Sequence, residues 1–489
     1  MSATAGRAIA RAPEIGELVI ASNRLPVQVT VSDAGAIDLT PSAGGLVNAL
    51  RGVATPFTWV GWPGAVVPAA AQAELADRLA ADRLEPVFLE QADEAGFYGR
   101  ICNDTIWPLF HDFVGRMSFT DAAWERYVDV NRRFAEQLAA RSAHGARVWV
   151  HDFHLMLVPA ALRELRPDLS IGFFLHIPFP STEIFQLLPS REEVLLGLLG
   201  ADQVGFHTSE YARHFRSSCL DVLGIDSGPN EIEHGGRVVG IGADPIGIDV
   251  AHFQDVLGRP ETAAMVDELA ARYRGQRLVL GVERLDYSKG VPQKLRAFER
   301  FLEDDPARAE TTTLLQVLVP SRLESADYRE LRAEIEQESA RINGRFGRPG
   351  RTPVECLHRS VSPAELVALY RRADVMAVTP LRDGMNLVAQ EFVLCQTAAP
   401  KLPGRARGVL LLSEFAGAAQ VLPGALLVNP WDAADLAARL VEALELAPAE
   451  RCRRLALMSG AVRRLAAPRW AEGCLDRLAQ PEPVAGTRL

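Results

Sequence analysis

The sequence has few lysines, no long apolar run and no clustered cysteines, and the last two features argue against a membrane-spanning protein and a disulfide or zinc framework. Its 489 residues include three lysines beside 49 arginines. No stretch reaches the roughly 18 apolar residues that a membrane-spanning helix needs. The six cysteines are scattered, with no CxxC pair and no Cys/His grouping at metal-ligand spacing. We therefore expect free, buried thiols in a reducing compartment rather than disulfides or a zinc site.

Basic residues are also fewer than acidic ones, 52 against 62. The formal net charge is −10 at pH 7, whereas a nucleic-acid-binding protein needs a basic surface. The first fifteen residues carry two arginines but no apolar segment, so no secretory signal is expected. We predict a soluble, cytoplasmic protein that binds neither nucleic acid nor membrane. The length, with 48% hydrophobic and 23% charged residues, predicts two or three globular domains.

Short apolar runs alternate with amphipathic stretches, the pattern of parallel βαβ units in an α/β fold. The first series has strands predicted at residues 18–20, 148–150, 171–175 and 203–206, and helices at 124–141, 155–165 and 191–199. The second series has strands predicted at 278–280, 314–318, 354–357, 375–378, 409–412 and 426–428. We predict Rossmann-like domains at residues 1–247 and 248–466, divided near the Pro and Gly of 245–249, and a disordered tail at 481–489.

Cations, carboxylates and glycines follow several predicted strands in both halves. The carboxyl ends of strands are where ligands bind in open α/β sheets. Arg284 and Lys289 follow one such strand, and two cations there suit a diphosphate and the charge that develops as it departs. The alternative is that both form surface ion pairs with Glu283 and Asp286. Two halves of this kind imply a cleft, and an enzyme acting on phosphorylated compounds.

The segment 383–391 is predicted to open a helix after the strand 375–378. A helix start favours phosphate or hydroxyl groups, and Gly384 permits close backbone approach. Glu391 lies one turn beyond Leu387, where its carboxylate suits the paired hydroxyls of a ribose. Asp383 has two open interpretations, a helix cap or a sugar ligand.

The N-terminal half offers a glycine pair and an Asp-x-His pair. Gly44 and Gly45 could place backbone amides round a phosphate or a sugar edge, although a flexible turn is the commoner meaning of such a pair. Asp152 and His154 invite a metal or general-base interpretation. No third ligand comes at a diagnostic spacing, so a metal is not expected.

Eight strings of these residues occur in an order that resembles one known family. They cover residues 22–24, 42–46, 103–111, 151–155, 173–180, 283–290, 379–391 and 413–418. The chain resembles the α,α-trehalose-6-phosphate synthases of glycosyltransferase family 20, from about residue 17 to about residue 475. The resemblance implies a GT-B fold, with two Rossmann-like domains facing across a cleft and a C-terminal helix near 467–480 crossing back to the first. It also implies retaining transfer of glucose from a nucleotide-glucose to C1 of glucose 6-phosphate, giving α,α-trehalose 6-phosphate and a nucleoside diphosphate.

The resemblance carries roles onto matching positions. The catalytic positions that it implies are Arg284, Lys289, His176, Asp152 and Asp383. Donor-binding positions are Gly44, Gly45, Arg284, Lys289, Val361, Asp383, Gly384, Met385, Asn386, Leu387, Val388, Ala389 and Glu391. Acceptor-binding positions are Arg24, Tyr98, Trp107, Asp152 and Arg322.

Several questions stay open on the sequence. UDP-glucose is the common donor of the family, but the family varies at Val361, so GDP-glucose and ADP-glucose remain alternatives. No metal cofactor is expected, since Arg284 and Lys289 would take the place of the divalent metal that other transferases use. The resemblance also implies that the departing phosphate oxygen acts as the base, as in retaining GT-B enzymes, which agrees with the lack of an obvious nucleophile. A homodimer or homotetramer is possible. Other functions are transfer to another phosphorylated acceptor such as glycerol 3-phosphate, C–N coupling to a pseudo-sugar, an inactive sugar-phosphate-binding relative, and a plain metabolite-binding module.

Overall fold

The computed structural model describes residues 18–31, 37–41, 44–50, 52–53, 55–320 and 326–479. Its strands are β1 (Leu18–Arg24), β2 (Val27–Val31), β3 (Ile37–Pro41), β4 (Thr58–Trp62), β5 (Leu84–Pro86), β6 (Arg147–His151), β7 (Ser170–Phe174), β8 (Gln203–Phe206), β9 (Glu231–His234), β10 (Arg237–Ala243), β11 (Arg277–Arg284), β12 (Thr312–Val319), β13 (Val354–Leu357), β14 (Val375–Val378), β15 (Val409–Ser413) and β16 (Leu426–Val428).

Two large sheets organise these strands. The first has the order β5-β4-β1-β6-β7-β8-β10-β9 and is parallel except for its edge strand β9. The second has the order β13-β12-β11-β14-β15-β16 and is parallel throughout. Their central strands are buried along most of their length, as in the wholly buried β15, because helices cover both faces of a parallel sheet. The antiparallel pair β2–β3 forms a separate ribbon.

The helices alternate with the strands. They are α1 (Gly45–Leu50), α2 (Ala69–Ala80), α3 (Gln91–Asp93), α4 (Trp107–Phe110), α5 (Asp121–Arg141), α6 (Val158–Leu165), α7 (Thr182–Phe185), α8 (Arg191–Leu198), α9 (Ser209–Leu223), α10 (Val250–Gly258), α11 (Pro260–Arg272), α12 (Val291–Asp304), α13 (Arg308–Thr311), α14 (Ala326–Phe346), α15 (Pro363–Arg372), α16 (Leu387–Thr397), α17 (Ala433–Glu445), α18 (Pro448–Arg464) and α19 (Ala467–Ala479). A π-type helical segment, Glu94–Ile106, runs into α4.

The last helix packs on the first sheet. Trp470 of α19 lies with its ring centroid 5.0 Å from that of Trp149 and 5.1 Å from that of Phe174. The chain reaches α19 beside the segment that leaves the first sheet, where the Ala467 N–H donates to the Ile248 carbonyl at 3.0 Å. A Cβ on Gly247 would lie 1.8 Å from the Leu465 carbonyl oxygen, so a glycine is required where the two segments touch. The domain bounds 1–247 and 248–466 stay a prediction.

Every strand predicted from the two apolar series is present, with different ends in places. β1 continues to Arg24 and β11 to Arg284, residues that the sequence had placed after the strands, because each still pairs with a parallel neighbour. The strands β2 to β5, β9 and β10 were not predicted. β5 has only three residues and β2–β3 lies outside both large sheets, so neither produces the run of buried apolar residues that marks a central strand.

Three further expectations meet the structure here. All six cysteines are free, but Cys452 is exposed, so the prediction of buried thiols is wrong at that position. None of the helices in the described residues is long and apolar enough to cross a membrane. The tail predicted to be disordered at 481–489 lies outside the described residues.

Candidate active site

The carboxyl ends of the two sheets meet, and side chains from each half contact the other. The Arg284 guanidinium lies 5.5 Å above the ring of Trp107. The Tyr211 hydroxyl donates to the backbone carbonyl of Asp383 at 3.1 Å. Gly384 packs so closely on the first half that a Cβ there would lie 2.3 Å from the His176 carbonyl oxygen. The predicted catalytic residues are therefore brought together across one cleft.

A buried ion pair lies on the second sheet's side of the cleft. The Lys289 ammonium is 2.8 Å from the Asp383 carboxylate, which also accepts a hydrogen bond from the Asn386 amide at 3.0 Å. Burial alone would raise the pKa of Asp383, but Lys289 and Asn386 together hold it below its ordinary value. Lys289 reaches this position because Gly290 adopts a left-handed conformation at φ 67° and turns the chain into α12.

Arg284 differs from Lys289 in having no carboxylate partner within ion-pair distance among the described residues. Its predicted alternative partner, Glu283, is instead buried and paired with Lys294, and Glu283 also accepts from Gln316. Arg284 is exposed at the end of β11. Its charge is thus available to an anion in the cleft.

The helix start in segment 383–391 is capped by Asn386. Its side chain accepts from the Ala389 N–H at 3.1 Å, and α16 begins at Leu387. The interpretation of Asp383 as the cap is therefore wrong, and its carboxylate is used by Lys289 instead. Asn386 has φ 85°, outside the range that most side chains adopt. Gly384 does make a close backbone approach, and the backbone that it approaches is that of His176 in the other half.

The remaining predicted donor residues are spread round this helix start. A Cβ on Gly45 would lie 2.9 Å from the Leu387 side chain, so the N-terminal glycine loop touches α16 across the cleft. A Cβ on Gly44 would meet no atom of the described residues within 4 Å. The Glu391 carboxylate accepts from the Tyr370 hydroxyl at 2.7 Å, and burial raises the pKa of Glu391 to about 7. Met385 and Ala389 have buried side chains, whereas Val361 and Val388 are partly buried.

Asp152 and His176 occupy neighbouring strand ends of the first sheet. The Asp152 carboxylate accepts from the His176 backbone N–H at 3.2 Å, and Asp152 itself has φ 75°, a strained value for a residue with a side chain. Burial raises the pKa of Asp152 to about 6, against the opposing effects of its backbone hydrogen bonds and of Arg284. The carboxyl group therefore changes charge near pH 6.

A cationic pocket lies beside these residues. The Arg24 guanidinium sits 4.9 Å from the ring of Trp62 and 5.1 Å from that of Tyr98, an arrangement that orients it without neutralising its charge. Tyr98 in turn stacks on His154 with centroids 6.0 Å apart. Arg322, the other predicted phosphate ligand, lies outside the described residues, as do Ser42 and Ala43 of the glycine loop.

The described residues contain no group of three or more His, Cys, Asp or Glu side chains that could hold a metal ion. The chemistry available in the cleft is that of fixed cations, the carboxyl groups of Asp152, Asp383 and Glu391, and histidines whose pKa burial lowers. Such an arrangement can bind two phosphorylated groups and stabilise negative charge on one of them.

Known proteins match this chain along nearly all of its length. The profile of glycosyltransferase family 20 matches residues 16–480. The chain belongs to glycosyltransferase family 20. The α,α-trehalose-phosphate synthase (UDP-forming) of Emericella nidulans is 41% identical over 479 residues, which cover 96% of this chain and 94% of that protein. That of Yarrowia lipolytica is 43% identical over 470 residues, covering 94% and 99%.

Solved structures confirm the predicted GT-B fold. An α,α-trehalose-phosphate synthase (UDP-forming) from Burkholderia xenovorans, in complex with glucose-6-phosphate, has a TM-score of 0.84 at 33% identity and covers 95% of this chain and 100% of its own. A structure described as trehalose-6-phosphate from E. coli bound with UDP-2-fluoro glucose has a TM-score of 0.83 at 33% identity, covering 95% and 99%.

Sequence reasoning missed some residues of this family 20 site. Trp62 forms one wall of the Arg24 pocket, and Tyr211 contacts Asp383 across the cleft. Trp62 lies in a Gly-Trp-Pro-Gly stretch at 61–64 that could have marked a rigid turn. His151 belongs to the string 151–155 that resembles the family, but the sequence analysis assigned no role to it. Tyr211 lies inside an ordinary amphipathic helix, where no local pattern separates it from the core.

Proposed function

We propose that this glycosyltransferase moves glucose from UDP-glucose to C1 of glucose 6-phosphate with retention of configuration. The products are α,α-trehalose 6-phosphate and UDP. The observation that carries the proposal is the contact between Arg284 and Trp107, 5.5 Å apart. It brings a cation suited to a diphosphate against Trp107, one of the residues predicted to bind the acceptor. The names of the curated relatives, UDP-forming synthases at 41% and 43% identity, support the choice of reaction and of donor.

On the donor side, Arg284 and Lys289 hold the diphosphate, and Asp383 and His176 contact the glucose. The Lys289 charge is partly balanced by Asp383 in the free enzyme, at 2.8 Å, and an incoming diphosphate adds a second anion beside it. Glu391 and the backbone of 384–389 serve the nucleoside and the diphosphate. These groups are positioned before the reaction, so they stabilise the departing charge without further reorganisation.

On the acceptor side, Arg24 and Arg322 bind the phosphate of glucose 6-phosphate, and Tyr98 and Trp107 pack on the sugar. Asp152 accepts a hydrogen bond from an acceptor hydroxyl. The bond between the donor's anomeric carbon and the diphosphate oxygen breaks while the acceptor's O1 bonds to that carbon on the same face. The proton of O1 passes to the departing phosphate oxygen, so no protein nucleophile is needed.

The test is a donor panel of UDP-, GDP-, ADP- and TDP-glucose with glucose 6-phosphate or glycerol 3-phosphate as the acceptor, measuring nucleoside diphosphate release and identifying the glycoside formed. We expect UDP-glucose to be used best and trehalose 6-phosphate to form. Release only with glycerol 3-phosphate as acceptor would assign the chain to the sister transferases. Binding of both ligands without turnover would assign it to the inactive relatives.

A further inference from the structure

Three histidines lie side by side at the edge of the first sheet. His151 is the last residue of β6, His176 follows β7 by two residues, and His207 directly follows β8. These strands are neighbours in the sheet, so the rings converge. The ring centroids of His151 and His176 are 5.2 Å apart, and those of His176 and His207 are 5.4 Å apart. Of the three, only His176 has a role in the proposed function.

A hydrogen bond joins two of these rings directly. Nδ1 of His151 lies 3.1 Å from Nε2 of His176. His151 is fully buried, with its ring 4.4 Å from that of Trp149 and 6.2 Å from that of Trp470. His176 keeps part of its surface exposed. His151 therefore cannot reach a ligand itself, and any effect it has on a ligand passes through His176.

The same turn holds His176 at a second point. Asp152, the residue after His151, accepts the His176 backbone N–H at 3.2 Å and donates its own N–H to the Phe174 carbonyl at 2.8 Å. His151 also pairs in register with Phe174 across the parallel strands. Asp152 thus fixes the backbone of His176, whereas the His151 ring contacts the imidazole of His176.

The protonation of the pair follows from burial. Burial lowers the pKa of His151 to about 3 and the pKa of His176 well below its ordinary value, so both rings are neutral near pH 7. A neutral imidazole has one N–H and one lone pair. One ring therefore donates in this hydrogen bond, and the other accepts.

Nε2 of His151 decides which ring donates. This atom is buried and has no hydrogen-bond partner among the described residues. A proton on it would be a buried, unpaired N–H, which proteins tolerate less well than an unpaired lone pair. The proton of His151 therefore belongs on Nδ1 and is donated to Nε2 of His176. His176 then carries its own proton on Nδ1, where it can donate to a sugar oxygen.

We propose that His151 is a positioning residue that holds His176 in the Nδ1-protonated tautomer and in the orientation that contacts the donor glucose. The proposal rests on the proposed role of His176 in binding the donor sugar. It follows the general rule that the hydrogen-bond partner of one nitrogen of a histidine ring determines whether the other nitrogen carries a proton.

The test compares two substitutions of His151. The amide of His151→Asn places a donor at the δ position, close to that of the imidazole, whereas His151→Leu has no donor. Calorimetry would measure the affinity for UDP-glucose and for UDP. We expect His151→Leu to weaken UDP-glucose binding by about tenfold, as the loss of a hydrogen bond in a buried site does, and to leave UDP binding unchanged. His151→Asn should restore most of the difference.

Controls separate positioning from packing. Trp149→Phe disturbs the other side of the His151 ring and should leave the ratio of the two affinities unchanged. In a His176→Ala background, His151→Leu should have no further effect on UDP-glucose binding. A loss of UDP and UDP-glucose affinity in equal proportion, or an additive loss in the His176→Ala background, would overturn the proposal.

Nuclear magnetic resonance of the wild-type protein with ¹⁵N-labelled histidine gives a readout that does not depend on turnover. We expect the His176 signal to show a proton on Nδ1. The signal is assigned to His176 because it is absent from the spectrum of His176→Ala. A proton on Nε2 of His176 would refute the tautomer that we propose. Because this measurement needs no substrate, it stands even if the donor panel shows that the proposed function is wrong.

Discussion

The ion pair between Lys289 and Asp383 allows the proposed donor site to be tested by measuring both the turnover rate and the free energy of unfolding. Lys289→Ala removes a cation that is fixed 2.8 Å from Asp383 and only 10% exposed. Loss of one preorganised group that faces developing charge lowers kcat by about 10²–10³, or roughly 3–4 kcal/mol. We expect a decrease in that range, measured as UDP release at saturating UDP-glucose and glucose 6-phosphate. Lys401→Ala, which removes an exposed lysine outside the cleft, is the matched control.

The same substitution leaves a carboxylate without its cation. Breaking a buried ion pair by removing one partner costs roughly 3–5 kcal/mol, and Asp383 is itself 14% exposed and keeps its hydrogen bond from Asn386. We therefore expect a loss of about 3 kcal/mol in the free energy of unfolding. Urea denaturation would measure it. The double variant Lys289→Ala/Asp383→Asn should recover most of this stability and none of the activity.

The stability loss should depend on pH with a definite sign. In the wild type the folded pKa of Asp383 is below its ordinary value, so its stabilising effect is present above about pH 4 and is lost as the pH falls through the folded pKa. Without Lys289, burial dominates and the folded pKa rises. The variant then loses stability as the pH increases through the raised pKa, so the gap to the wild type widens from about pH 4 up to that raised pKa.

A near-wild-type kcat in a folded Lys289→Ala enzyme would refute the leaving-group role. A stability gap that does not change with pH would mean that Asp383 is not the group that Lys289 compensates. These two outcomes are independent, so the experiment tests the chemistry and the electrostatics separately.

Three further predictions concern the acceptor side and the absence of a metal requirement. Arg24→Ala should raise the KM for glucose 6-phosphate by about tenfold to a hundredfold, the loss of a hydrogen bond to a charged group, and leave calorimetric UDP-glucose binding intact; loss of donor affinity instead would place Arg24 on the other side. Because the pKa of Asp152 is about 6, kcat/KM should have an acid limb near that pH that disappears in Asp152→Asn; a limb that stays there must belong to another group. Activity should survive EDTA, and a loss that Mg²⁺ or Mn²⁺ restores would contradict the role assigned to Arg284 and Lys289.

Local sequence was sufficient for all six strands of the second sheet and for four of the eight strands of the first. The strands of both large sheets that the apolar series predicted are present, because a parallel strand buried on both faces must be apolar along its whole length. Arg284, Lys289 and Asp383 all lie at the carboxyl ends of such strands, where topology brings ligand-binding groups. Sequence periodicity therefore placed each half of the site on its own sheet.

Tertiary structure alone decided how the two halves meet and how each group is used. Gly384 approaches the backbone of His176, Tyr211 bonds to Asp383 from 172 residues away, and the Arg24 pocket needs Trp62. The hydrogen bond of His151 to His176 likewise depends on the register of β6 and β7, two consecutive parallel strands joined by α6. Hydrophobic periodicity reports which face of an element is buried, not which distant element covers it. Those contacts, and the pKa shifts that follow from burial, come from the packing of the two sheets and the helices between them.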